Sequence, residues 1–142
     1  MKDPIRHFVS ELIGTFALVF IGSGAIILTK MPNSNIGLVE VALAHGIILS
    51  VMVTATMRIS GHFNPAVTIG FAIEGRTEWG DVPEYLAGEF VGAFIGATLV
   101  WLSYLDHWRE TEDPGLKLAV FCTAPAIRNP ISNIITEVVG TF

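Results

Sequence analysis

The sequence predicts an all-α membrane protein with three spanning helices and one half-length helix that enters the bilayer without crossing it. Three observations carry this prediction. Of the 142 residues, 51% are apolar and only 15% charged, and the mean hydropathy is +0.60, a composition of membrane-embedded chains. Three apolar runs each reach the roughly twenty residues needed to span hydrocarbon. A fourth run is about half that length and opens on a proline-led helix start.

The first run covers residues 8–29, interrupted by Glu11 and small polar residues. Lys2 and Arg6 precede it. It is longer than the apolar core of a signal peptide and lacks a small-residue cleavage site, so it reads as a retained first span. Lys30 to Asn35, with Pro32 and two asparagines, reads as a turn. The second run, residues 36–57, holds Glu40 near its start and His45 farther in. Glu40 is close enough to the helix end to be solvated.

Next comes Ser60-Gly61-His62-Phe63-Asn64-Pro65-Ala66-Val67-Thr68. Asn64 is an N-cap, its side chain accepting from free backbone N–H groups, and Pro65 has the φ and the missing donor that suit a first helical position. The apolar residues 66–73 follow, until Glu74, Gly75 and Arg76 stop the helix. A capped, half-length apolar helix fits a re-entrant segment, tolerated at membrane depth only when it is buried or lines a wet cavity. Its N-terminus places about half a positive charge near the membrane centre.

A polar connection, residues 77–83, leads to the third spanning run, residues 85–105. Gly88, Gly92 and Gly96 recur every four residues, a small-residue face for close helix packing. Trp101, Tyr104 and Trp108 at its far end fit an interfacial aromatic belt. Residues 106–115 are polar and lie outside the bilayer core, and 116–122 are apolar but too short to cross. A two-proline loop precedes a new apolar helix from Ile131. Glu11-Leu12-Ile13-Gly14-Thr15-Phe16 returns 126 positions later as Glu137-Val138-Val139-Gly140-Thr141-Phe142. Such self-similarity signals a duplicated unit. An odd number of spans per unit makes the second copy inverted, as in many transporters.

The net charge of −5 argues against nucleic acid as a partner. The single cysteine, Cys122, excludes an internal disulfide. Lys2, Arg6, Arg58 and Arg76 fall on one side of the membrane, and Lys30, Arg109, Lys117 and Arg128 on the other. With four on each side, the positive-inside rule selects no orientation.

The nine-residue string from Ser60 to Thr68, set between two apolar runs, resembles the first pore motif of the aquaporin and glycerol-facilitator family, the major intrinsic proteins. The local form is Ser-Gly-His, one residue shorter than the Ser-Gly-Ala-His common in that family. The resemblance implies an aquaporin-like bundle in a multi-pass protein of the cell membrane, with its N-terminus in the cytoplasm. Residues 1–105 would form the first repeat, 106–130 the connecting outer loop, and 131–142 the start of the second repeat's first helix. The second pore motif and its neighbouring arginine are not in this chain. The implied function is a passive channel for water and small uncharged solutes, glycerol foremost, in a homotetramer, with no chemical step and no cofactor.

Residue by residue, the resemblance points to Asn64, Pro65 and Ala66 at the pore centre. Asn64 then either caps the helix without touching the permeant, or uses the cap bonds to aim its amide donors into the pore. Gly61, His62 and Phe63 would present carbonyl oxygens to the permeant, with the His62 ring or its carbonyl facing the channel, the alternative being a structural histidine bonded to loop backbone. His45 matches the narrow filter position of the second span, the alternative being an interhelical bond. Glu11, and Glu137 in the second copy, would hold the pore loops from behind. Glu89 matches a position that is often glutamine, and its role stays open. The 121–125 stretch, Phe121 to Pro125, resembles the outer loop of glycerol facilitators.

The competing reading is a non-conducting half-channel, a structural or interaction protein that must pair with another chain. A membrane enzyme built on His62 and Glu11 lacks an accompanying nucleophile, metal cluster or phosphate loop.

Overall fold

The computed structural model describes residues 3–31 and 33–141. Lys2 of the charge comparison, Pro32 of the first turn and Phe142 of the repeat lie outside the described residues. Seven helices and no strand are found among the described residues. Helix α1 (Pro4–Leu28), α2 (Leu38–Thr56) and α4 (Val82–Ser103) are long and apolar enough to cross a membrane. Helix α3 (Pro65–Ile73) is the half-length element. Short helices α5 (Leu105–Glu110) and α6 (Pro114–Ala119) follow, then α7 (Pro130–Thr141).

Helix α1 starts four residues before the apolar run does. Asp3 caps it by accepting the Arg6 N–H at 3.3 Å, and Pro4 takes the first helical position. Helix α4 likewise begins within the polar connection, with Pro83 in its first turn. The connection after α4 is also more ordered than its polar composition suggests. It contains α5 and α6, the latter capped by Asp113 accepting from the Gly115 N–H at 2.7 Å. Capping and proline placement, which hydropathy does not register, account for all three differences.

The scaffold is the packing of α1 on α4. Gly88, Gly92 and Gly96 meet Phe8, Leu12 and Phe16, one α1 turn per glycine. A Cβ at Gly88 would stand 2.5 Å from the Phe8 carbonyl oxygen, and one at Gly96 2.9 Å from that of Phe16. At Gly92 it would overlap the Leu12 oxygen. Only glycine permits backbones this close. Helix α2 leans on α1 and buries none of its residues. At the far end Ile27, Val100 and Val120 form a small core, flanked by Phe20, Met31, Tyr104 and Trp108, that ties α6 to the ends of α1 and α4.

Candidate functional site

Between α2 and α3 the chain leaves helical geometry and lies against α1. Asn64 has extended backbone (φ −156°), its Oδ1 accepts the Ala66 N–H at 2.8 Å, and its carbonyl accepts the Thr68 N–H at 3.0 Å. That is N-cap geometry, and it leaves the amide N–H donors of the exposed Asn64 side chain without a partner among the described residues. Helix α3 ends as cleanly as it starts. Gly75 takes φ +75°, its N–H bonds the Ala72 carbonyl at 3.2 Å, and the Arg76 N–H reaches back to Phe71 at 2.8 Å. This paired closure needs a left-handed residue, and glycine adopts that conformation without strain. Arg76 also lies over the Phe71 ring at 5.5 Å.

Glu11 of α1 is fully buried, at 0% exposure. Its Oε1 accepts from the Ser60 hydroxyl and from the His62 N–H at 2.9 Å, and its Oε2 accepts the Phe63 N–H at 2.6 Å. Ser10 next door donates to the Ser60 carbonyl at 3.1 Å. A carboxylate offers about four acceptor sites, and here three protein donors converge on it. The loop's backbone donors are thereby satisfied from behind. No hydrogen bond among the described residues ends on the carbonyls of Gly61, His62 or Phe63.

The His62 ring does not hang free. Its Nδ1 lies 2.9 Å from Thr68 Oγ1, and that hydroxyl donates to Glu89 Oε1 at 2.6 Å. A hydroxyl has one hydrogen, so its bond to the histidine runs from an Nδ1–H, a tautomer assigned from the network. The ring packs on Tyr85 at 4.6 Å and edge-on to Phe71 at 4.9 Å. Tyr85 in turn neighbours His7, which pairs with Glu84 at 2.7 Å. Glu89, whose role the sequence left open, is therefore a second buried carboxyl bracing the 60–68 segment, this one from α4 through Thr68. Its Oε2 has no hydrogen-bond partner among the described residues.

The remaining sequence-predicted residues stand apart. The His45 Nδ1 bonds the Val41 carbonyl of its own helix at 2.9 Å, and its Nε2 edge rests on Gly22 of α1. Glu40 folds back to accept the Gly37 N–H at 2.8 Å and caps α2. Glu137 lies on α7, lining a cavity of about 690 Å³ opposite Ala66, Gly70 and Phe71 of α3. The structure thus brings Glu11, Gly61, His62, Phe63, Asn64, Pro65 and Ala66 into one constellation, with His45 and Glu137 outside it. Sequence reasoning missed Ser10, Ser60, Thr68 and Tyr85. Thr68 and Ser60 sit inside the recognised string, so their position was the available signal; Ser10 and Tyr85 carry none. Among the described residues no cluster of three histidine, cysteine, aspartate or glutamate side chains is placed to hold a metal.

Comparison with known proteins gives one consistent result. The family model described as "Major intrinsic protein" matches residues 1–142. A probable glycerol uptake facilitator protein from Thermotoga maritima is 44% identical over 139 residues, covering 95% of this chain and 59% of that protein. The glycerol uptake facilitator protein of Bacillus subtilis is 40% identical over 95% of this chain and 51% of its own length. The X-ray structure of the aquaglyceroporin from Plasmodium falciparum superposes with a TM-score of 0.70 at 27% identity, covering 79% of this chain and 47% of that one. The chain thus spans between half and three fifths of the length of these curated relatives.

Proposed function

Since the chain belongs to the major intrinsic protein family, and so to a multi-pass membrane protein, we propose that it forms the first-repeat wall of a passive channel for water and small uncharged solutes, with glycerol as the main permeant. The observation that carries the reading is the Asn64 cap. The Oδ1 is committed to the Ala66 N–H, so the amide can only donate toward the exposed side. A permeant oxygen accepts there, and its own hydrogens turn to the unengaged carbonyls of Gly61, His62 and Phe63. A water held in that orientation cannot receive a proton along the file, and the positive end of α3 opposes cations. Transport then involves no chemical step.

Glu11 holds the loop from α1, and Glu137 has the same duty in the second repeat. His45, seated on Gly22, narrows the same pathway on the α2 side. The apolar outer surfaces of α2 and α4 face lipid and neighbouring subunits of a homotetramer.

One observation favours keeping the half-channel reading beside this one. Asn64 and the α3 residues Val67, Ile69 and Ile73 are exposed in this chain, so the pore wall needs further helices. Continuation of the same polypeptide supplies them in the first reading, and a second chain in the other. Stopped-flow swelling of proteoliposomes holding the natural gene product tests the proposal, with the intact mass of that product separating the two readings. Glycerol flux above that of empty vesicles, without ion conductance, is expected. Flux equal to empty vesicles counts against the channel.

A further inference from the structure

We infer that Gly14 is a positioning residue of the pore loop: with Glu11 it makes a two-part seat on α1, the carboxylate taking the loop's backbone and the bare glycine taking the Phe63 ring. This rests on reading the loop as a pore wall.

Phe63 has φ +53°, a left-handed conformation that is an outlier for a bulky residue. Such strain persists only where the surroundings over-determine it. Two restraints meet on this residue. Its N–H is bound by Glu11 Oε2 at 2.6 Å. Its ring is 2% exposed and occupies the space that a Cβ on Gly14 would need, meeting Cδ1, Cε1 and Cζ. Glu11 and Gly14 are three residues apart and therefore on one face of α1. Glycine weakens a helix relative to alanine, and at position 14 the ring supplies the reason for it.

Glu137 and Gly140 on α7 repeat the same three-residue spacing. At α1 the seat is occupied, and the residue after the seated ring is Asn64. The direction of the Asn64 amide is therefore set from α1, by how deeply the ring can sink.

The test is hydrogen–deuterium exchange on the natural gene product in detergent micelles, following the amides of residues 60–66, with glycerol and sodium permeability read in proteoliposomes. Gly14→Ala is expected to speed exchange at His62 and Phe63 about tenfold, the order expected when a strained conformer loses its restraint. It should also lower glycerol flux. Adding Phe63→Ala makes room for the new methyl, so the double variant should exchange more slowly than Gly14→Ala and no faster than Phe63→Ala alone. Unchanged exchange in Gly14→Ala, or a double variant no better than the single one, overturns the seat. If Gly14→Ala does not fold, Phe63→Ala alone decides. It keeps every backbone bond to Glu11, and loop exchange and sodium leak should rise while α4 amides stay protected; an unchanged loop overturns the proposal. A wild type that passes no glycerol overturns the channel reading only, because exchange reads the seat without transport.

Discussion

Glu11 and Phe63, 52 positions apart, are joined by a 2.6 Å hydrogen bond from the backbone N–H of Phe63 to Glu11 Oε2. The bond runs from a strained loop residue to a buried helix carboxylate, and it links the first span to the residue just before the α3 cap, Asn64. The shape of the loop is thereby written partly into α1.

Replacing Glu11 with glutamine should loosen this link. Glutamine keeps one acceptor oxygen but turns an NH₂ group toward a site that holds three donors. At least one buried N–H or O–H then loses its partner, at a cost of about 1–3 kcal/mol. A lower melting temperature in detergent and reduced glycerol flux per folded protein are expected. A Glu11→Gln protein matching wild type in both would remove the carboxylate from its assigned role.

Asn64→Asp separates folding from selectivity. Aspartate caps helices as well as asparagine does, so α3 should form and the melting temperature should hold. The two amide donors, however, become an acceptor bearing negative charge. Glycerol flux should fall and sodium or proton leak should rise in the same vesicles. Preserved flux together with preserved cation exclusion would contradict the aimed-donor mechanism.

Glu89 braces the loop through Thr68, and its substitutions should sort by acceptor capacity. Glu89→Gln still offers an oxygen to the Thr68 hydroxyl and is expected to stay within about 1 kcal/mol of wild type. Glu89→Leu leaves the Thr68 hydroxyl with the His62 Nδ1 at 2.9 Å as its remaining partner and removes the charge-assisted bond, which should cost about 1–3 kcal/mol. Thermal unfolding of both variants, followed by circular dichroism, gives the comparison. Equal stability would show that the Thr68 bond contributes nothing.

At the helix crossing, Gly92→Ala forces a methyl against the Leu12 carbonyl. Overpacking of this kind costs about 1–3 kcal/mol. Gly80→Ala, in the exposed connection between α3 and α4 with nothing within 4 Å among the described residues, serves as the control and should be near neutral. The difference in melting temperature between the two decides whether the glycine face is a close contact.

His45→Trp tests the narrowing role. The ring edge rests on Gly22, so a larger ring must swing away from α1 and into the pathway. The glycerol-to-water permeability ratio should rise. A constant ratio, with folding intact, would mean that His45 only fastens α2 to α1.

Much of this fold was readable in the sequence, because its determinants are local. Span length, the Asn64–Pro65 start and the Gly75 stop all act within a few residues. The glycine face of α4 was readable too, since a four-residue period maps onto one side of a helix. The helix starts at Pro4 and Val82 were missed because the polar residues around them interrupt the hydropathy without interrupting the helix. In the site, Glu11 stood out as a carboxyl inside an apolar run. Its donors did not, because backbone N–H groups leave no mark on a sequence. Nor did the Gly14–Phe63 contact, which joins two residues 49 positions apart with no shared period. Glu89 was visible as an oddity, but its meaning lay in Thr68 on another helix.

The burial of Glu11 also has a consequence for biosynthesis. The chain is made from its N-terminus, so Glu11 leaves the ribosome before Ser60, His62 and Phe63 do. At about 5–20 residues per second, the carboxylate precedes its donors by several seconds. Without those donors it carries the penalty of an ionisable group in hydrocarbon, for which about 2.5–3.5 kcal/mol at a helix centre is the upper bound on insertion scales. Helix α1 is thus least secure in the bilayer just after it is made, and it becomes firmly held only when the loop arrives. Productive insertion of this protein is a staged event, in which a later segment completes the anchoring of an earlier one.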